Sequence, residues 1–421
     1  MPDLDKTQAT EESGPSTESH ASEKAPKVAI ALTGGGARGA YQVGVLRGIA
    51  RHLPELRFPI ITGASAGAIN AIYLAAHPGS PQEATADLSR VWGDIRFEDV
   101  FRVDFGCLMR RSLLWLAKLG LGLGHLGVRV HGLLDTSPLR DLLSRELGSC
   151  NEIGPQGEVL GIDRNLKNQR LEALALMTVN YATGQTVSWV QGRETARWER
   201  PARRSQHTKV TVEHVMASAA LPLMFPAVQL GNAWYGDGSI RMAAPLSPAL
   251  HLGADHILAI STQYPRSQAE ANKPSFESYP SPAQIAGNLL NAIFLDVLDQ
   301  DVQRLERLNG LLEKLPPEER DGLKPVDIVV MRPSEDLGRL SARYEPRLPW
   351  SFRFMTRNLG THQTESPDSL SLLMFQPDYV RRLMEVGERD AETQIDAIRR
   401  LAGAPVQPAP AEGRTASSPT P

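Results

Sequence analysis

The sequence predicts an α/β layered domain. Three observations carry that reading: apolar runs of strand length, helical apolar patterns set between them, and two glycine-rich turns placed where a strand passes into a helix. Val28–Thr33 is an unbroken apolar run suited to a strand buried on both faces. Beyond the adjoining glycines, Tyr41, Val45 and Ile49 recur four apart, with Gly44 and Gly48 small enough for close packing on a sheet. Pro59–Thr62 is a second short strand, succeeded by "GASAG" and then by Ala68–Ala76, apolar all round and therefore a buried helix. Further strands are expected at Ala173–Asn180, Thr186–Val190, Ala233–Tyr235, His256–Ser261 and Asp327–Met331. A long amphipathic helix is expected from Ile285 through Leu289, Ile293 and Val297 onward.

The 421 residues suffice for a sizeable core. Residues 1–26 form an acidic, Ser/Thr-rich arm that reads as disordered, and 403–421 a similar Pro/Ala/Ser tail. Between them lie a core over 27–262 and an elaboration over 263–402 that completes the domain. The arm has neither the basic start nor the apolar run of a secretory signal, so a cytoplasmic location is expected. The two cysteines, Cys107 and Cys150, exclude a disulfide framework. A formal charge of −3 gives no general pull toward nucleic acid, and no nucleic-acid partner is expected. No histidine pair has HExxH spacing and no Cys/His cluster exists, so neither metal nor cofactor is expected.

The run "TGGGARGAY" carries the spacing of a dinucleotide loop, but a dinucleotide site also needs an acidic residue at the end of the second strand. Here that strand ends at Thr62 and runs directly into Gly63. The phosphate loop fails as well, because the glycines lead into no Gly-Lys-Ser/Thr. The second strand leads instead into "GASAG", with Ser65 in a Gly-x-Ser-x-Gly turn between an apolar strand and an apolar helix. Gly63 and Gly67 permit the sharp bend that lifts a serine hydroxyl clear of the backbone, and the helix N-terminus favours negative charge beside it. A nucleophilic serine needs an oxyanion hole, and Gly34, Gly35, Gly36 and Ala37 present main-chain N–H groups without bulky side chains.

The base is less plainly marked. His251 and His256, in "LHLGADHILAI", are the best-placed histidines, each with an ordinary reading as a helix end or a strand start. His214 reads equally as a helix-surface residue. Asp237, in "AWYGDGSI", is a carboxylate between glycines at a strand end, a setting that also suits a simple turn.

Taken in order, "GGGARG" (Gly34–Gly39), "GASAG" (Gly63–Gly67), "ASAALPLMFP" (Ala217–Pro226) and Asp237–Gly238 resemble the patatin-like phospholipases. "LLDTSPLRDLL" from Leu133 and, more loosely, "PDYVRRLMEVGERDA" also look like that family. The resemblance implies a three-layer α/β/α sandwich with a mainly parallel sheet and a catalytic core within 27–262. It further implies a Ser65–Asp237 dyad, an oxyanion hole from the glycine loop through Arg38 and Gly39, and phospholipid or other acyl-ester lipid as substrate. Ser239 departs from the pattern, standing where glycine or alanine is usual. An aspartate with an ordinary pKa near ~3.9 is a weak base for an alcohol and works here only if burial raises it.

Arg38 reads two ways, as an exposed cation or as a side chain that orients the loop or meets a lipid headgroup. From Phe105 to Leu134 no acidic residue occurs among leucines and four Arg/Lys, and Arg339–Arg357 interleaves arginines with aromatics. Both suit peripheral membrane contact as well as packing within the fold. Two other readings stand beside the dyad: a Ser-Asp-His esterase using His251 or His256, and a non-catalytic module binding nucleotide or lipid phosphate at the glycine loop.

Overall fold

A computed structural model describes residues 26–102, 132, 134–150, 153–192, 197–222, 224–272, 297–348 and 368–403. Ten strands form one sheet: β1 (Val28–Leu32), β2 (Ile60–Ala64), β3 (Ala173–Asn180), β4 (Thr186–Gly192), β5 (Glu199–Arg200), β6 (Arg203–His207), β7 (Val228–Leu230), β8 (Ala233–Asp237), β9 (His256–Ile260) and β10 (Asp327–Met331). Its order is β10-β9-β1-β2-β3-β4-β6-β5, with β8 on β3 and β7 on β8. The run from β10 to β3 is parallel throughout, while β4 and β8 join β3 antiparallel. The seven expected strands are all present, and the sheet is flanked by helices in a layered α/β arrangement.

The parallel strands are buried end to end in β1, β2 and β3, as their unbroken apolar runs require. Helix α1 (Gly39–His52) buries Tyr41, Val45 and Ile49, and α2 (Ala66–Ala76) is buried nearly all round. Gly44 and Gly48 do permit close packing, but against a helix and not the sheet. A Cβ on Gly44 would stand 2.1 Å from the Met384 carbonyl oxygen, and one on Gly48 would stand 2.8 Å from Ala391 Cβ. Both contacts belong to the helix Pro377–Thr393, whose Gly387 in turn approaches the Tyr41 carbonyl. Helical periodicity alone does not tell which layer a small-residue stripe will meet.

The helix expected from Ile285 is described over Val297–Leu312, with its earlier part outside the described residues. So are most of 105–134, the end of 339–357, and nearly all of both terminal segments. Among the described residues, no helix is long and apolar enough to cross a membrane.

Candidate active site

Ser65 sits between β2 and α2 with φ 55° and ψ −127°, a left-handed conformation that a serine adopts only when its surroundings impose it. The surroundings are tight. A Cβ on Gly63 would lie 2.4 Å from the Gly67 carbonyl oxygen, and one on Gly67 would lie 2.3 Å from that of Leu32. The strain therefore rests on the serine itself, while the glycines let α2 press against β1 and β2.

Asp237 ends β8 and is fully buried. Ser239 N–H donates to its Oδ1 at 2.9 Å. Oδ2 has no formed hydrogen bond, although the Ser65 hydroxyl is near enough to act on the carboxyl. A loose contact of this kind is usual in an unliganded site and tightens when a reacting group arrives. Burial pushes the carboxyl pKa up to about 6, against smaller opposing contributions from the Ser65 hydroxyl and from Ser239.

The glycine loop lies across Ser65. A Cβ on Gly34 would stand 3.1 Å from Ser65 Cβ, so the loop backbone passes directly over the serine. Among the described residues, the amides of Gly34, Gly35 and Gly36 donate to no acceptor, while Arg38 N–H is bonded to Gly35 O and Gly39 N–H to the carbonyls of Gly36 and Ala37. Gly36 has φ 54°, and a Cβ there would fall 2.1 Å from the Leu372 carbonyl oxygen, so this position demands glycine twice over.

Arg38 is not an exposed cation. It is 2% exposed; Nε donates to Ser371 Oγ at 2.6 Å and Nη1 to the Thr262 carbonyl at 3.5 Å. Thr262 Oγ1 donates back to Gly34 O at 2.8 Å. The side chain thus ties the glycine loop to the segment just beyond β9 and to the helix Asp368–Leu373.

Sequence reasoning missed Ser218. Its hydroxyl accepts from Ser65 N–H at 3.0 Å and donates to Met177 O at 2.7 Å, bridging the elbow to β3. A serine inside an apolar helical run carries no local signal of such a bridge.

Gly35, Gly36 and Ser65 open on a cleft of about 920 Å³, counting the part exposed to solvent. Its walls are apolar, with Ile69, Val91, Trp92, Leu143, Phe225 and Phe375 among them; Glu146 is the one charged residue among the described lining residues. Neither favoured histidine reaches this cleft. His256 begins β9, paired with Val28, at the amino end of the sheet, a strand length of about 13 Å from the end that carries Ser65. His251 stacks on Trp198 with ring centroids 4.8 Å apart. His214 is buried against Trp189 and hydrogen-bonded to Thr211 Oγ1 at 2.8 Å; burial lowers its pKa to about 4. Among the described residues, no group of three or more His, Cys, Asp or Glu side chains has metal-holding geometry.

A strained serine elbow at the carboxyl end of a mainly parallel sheet defines a class of α/β proteins that present one serine hydroxyl at the strand end. The family model of the patatin-like phospholipases matches residues 30–250, more than half of the chain, and the chain belongs to that family.

No curated protein matches the chain. Among solved structures, human GIVD cytosolic phospholipase A2 in complex with methyl gamma-linolenyl fluorophosphonate is similar at 14% identity and a TM-score of 0.44, over 90% of this chain and 59% of that one. VipD from Legionella pneumophila is similar at 15% identity and a TM-score of 0.33, over 88% of this chain and 67% of that one. The chain thus spans less than two thirds of the human phospholipase.

Proposed function

We propose that the protein is a lipid acyl hydrolase of the phospholipase A or lysophospholipase type, working through a Ser65–Asp237 dyad. The observation that carries this reading is the strained Ser65, set beside a fully buried carboxyl and opening on an apolar cleft. An acyl chain entering that cleft leaves water, at about 25 cal/mol per Å² of apolar surface, and presents its ester carbonyl to the serine.

Ser65 Oγ bonds to the carbonyl carbon while its proton passes to Asp237 Oδ2. With a pKa of about 6, Asp237 is roughly two orders of magnitude more basic than an ordinary aspartate and still ionised at neutral pH. The carbonyl oxygen becomes an anion, met by the free amides of Gly34, Gly35 and Gly36 and by the N-terminus of α2. Collapse breaks the bond to the leaving alkoxide, which takes the proton from Asp237. Water then adds to the acyl carbon, giving a proton to Asp237. Breaking the ester to Ser65 returns that proton to Oγ and releases the fatty acid.

We further read residues 27–262 as the part that carries the chemistry and 263–402 as completing it. Leu372, Leu373 and Phe375 on the cleft wall support that division of labour. A lipid substrate places the protein at a membrane surface as a peripheral visitor. The test is fatty-acid release from diacyl phospholipids, lysophospholipids and glycerides by the full chain, with Ser65→Ala in parallel. Release by wild type and its loss in the variant are expected; no release from any lipid ester by folded protein overturns the reading.

A further inference from the structure

Two residues beyond Asp237 stands a second buried hydroxyl that the dyad leaves unused. Ser239 is 4% exposed and lies in the 3-10 turn Gly238–Arg241 that succeeds β8. Its N–H is spent on Asp237 Oδ1, but its Oγ is buried without a formed hydrogen bond, as is Asp237 Oδ2. Gly34 locates that hydroxyl: a Cβ on this glycine would lie 2.5 Å from Ser239 Oγ and 3.1 Å from Ser65 Cβ. Both serine side chains stand against this one glycine. A buried hydroxyl needs an acceptor, and the carboxyl two residues back is the one its turn sets beside it.

We propose that Ser239 is a positioning residue for Asp237, gripping the carboxylate with its main-chain N–H and its hydroxyl together so that the oxygen facing Ser65 is held in place. The inference rests on the dyad reading. An O–H to carboxylate bond is charge-assisted, so the grip is firm while Asp237 is ionised and slackens once it has taken the Ser65 proton. Ser239 thereby keeps the base ionised and aimed, at some cost in basicity; the direction of its effect on the carboxyl is the same.

The other groups facing Asp237 are the Ser65 hydroxyl from the elbow and the Tyr181 phenol beyond β3, with Thr178 as ladder partner. Among the described residues, three charged or titratable side chains on neighbouring elements lie against other groups. Arg241 Nη1 lies by Gly184, Arg38 bonds Ser371 and Thr262, and His214 packs on Trp189.

The test is the acid limb of kcat/KM on a soluble acyl ester, measured on the full chain for wild type, Ser239→Ala and Ser239→Gly. Fluorophosphonate labelling of wild type and Ser65→Ala runs alongside. Both variants remove the hydroxyl but repack differently, so a shift common to both reports the hydroxyl, and either one that folds suffices. The acid limb is expected to move up by about half a unit to one unit of pH, a roughly three- to tenfold extra loss below the limb. Coincident limbs, with labelling still dependent on Ser65, overturn the role of Ser239 alone. Labelling that survives in Ser65→Ala brings down the dyad and this inference with it.

Discussion

Ala64 and Asp237 pair with consecutive residues of one strand: Ala64 with Met177 and Asp237 with Thr178. Strand β2 runs parallel to β3 and stops, and β8 arrives antiparallel on the same edge where β2 ends. The residue after Ala64 is Ser65. A separation of well over a hundred residues in the chain is thus closed by a single step along β3, which acts as the jig for the proposed dyad. Chain departure leaves Met177 O without a ladder partner, and Ser218 fills the gap.

Ser218→Ala should therefore act on both fold and chemistry. It strands the Ser65 N–H and the Met177 carbonyl, both buried, at a cost of about 1–3 kcal/mol. It also frees the elbow to relax, and kcat should fall by roughly one to two orders of magnitude with a smaller change in KM. Thermal melting and steady-state kinetics check both halves; a stability loss with full kcat would leave Ser218 a purely structural bridge.

Asp237→Asn should abolish activity yet stabilise the fold at alkaline pH. An acid whose folded pKa lies above its unfolded value contributes stability below the unfolded value, and that contribution is lost as pH rises to the folded one. For Asp237 the window runs from about 3.8 to about 6, and burying the charge above it costs about 3 kcal/mol. The variant should melt higher than wild type at pH 8, with the margin shrinking toward pH 4. A lower melting point at pH 8 would contradict the burial argument.

Gly36→Ala should disable the glycine loop. The left-handed backbone and the Leu372 carbonyl 2.1 Å from the new methyl leave no local accommodation. Displacing even one oxyanion donor costs about 3–4 kcal/mol of barrier. Activity should fall by more than 10²-fold, and the helix Asp368–Leu373 should exchange its amides faster, as hydrogen exchange would report. Near-normal turnover would remove the loop from the oxyanion role.

His251→Asn and His256→Asn should retain most activity, since neither ring lines the Ser65 cleft. Folded variants that both lose turnover would point to a histidine base.

The strands were legible because buried parallel strands read as plain apolar runs, and the elbow because a serine between small residues at a strand-to-helix junction has few other uses. Gly34–Gly36 could be read as the proposed anion cradle once a dinucleotide site lacked its carboxylate. For Arg38 two readings stood open, an exposed cation or a side chain that orients the loop, and only the distant Ser371 and Thr262 that bury it decide for the second. Distant partners likewise decide Ser218, and Gly44 and Gly48, whose partner helix lies more than 300 residues further along the chain. Local pattern reports which face is buried, and only tertiary structure reports against what.

The most direct test of the central claim is intact-mass analysis of the full chain after brief exposure to an activated acyl ester. Wild type should gain one acyl group on Ser65, Ser65→Ala none, and Asp237→Asn none on the same timescale. Acylation of Ser65→Ala to the wild-type extent, or undiminished acylation of Asp237→Asn, would contradict the account.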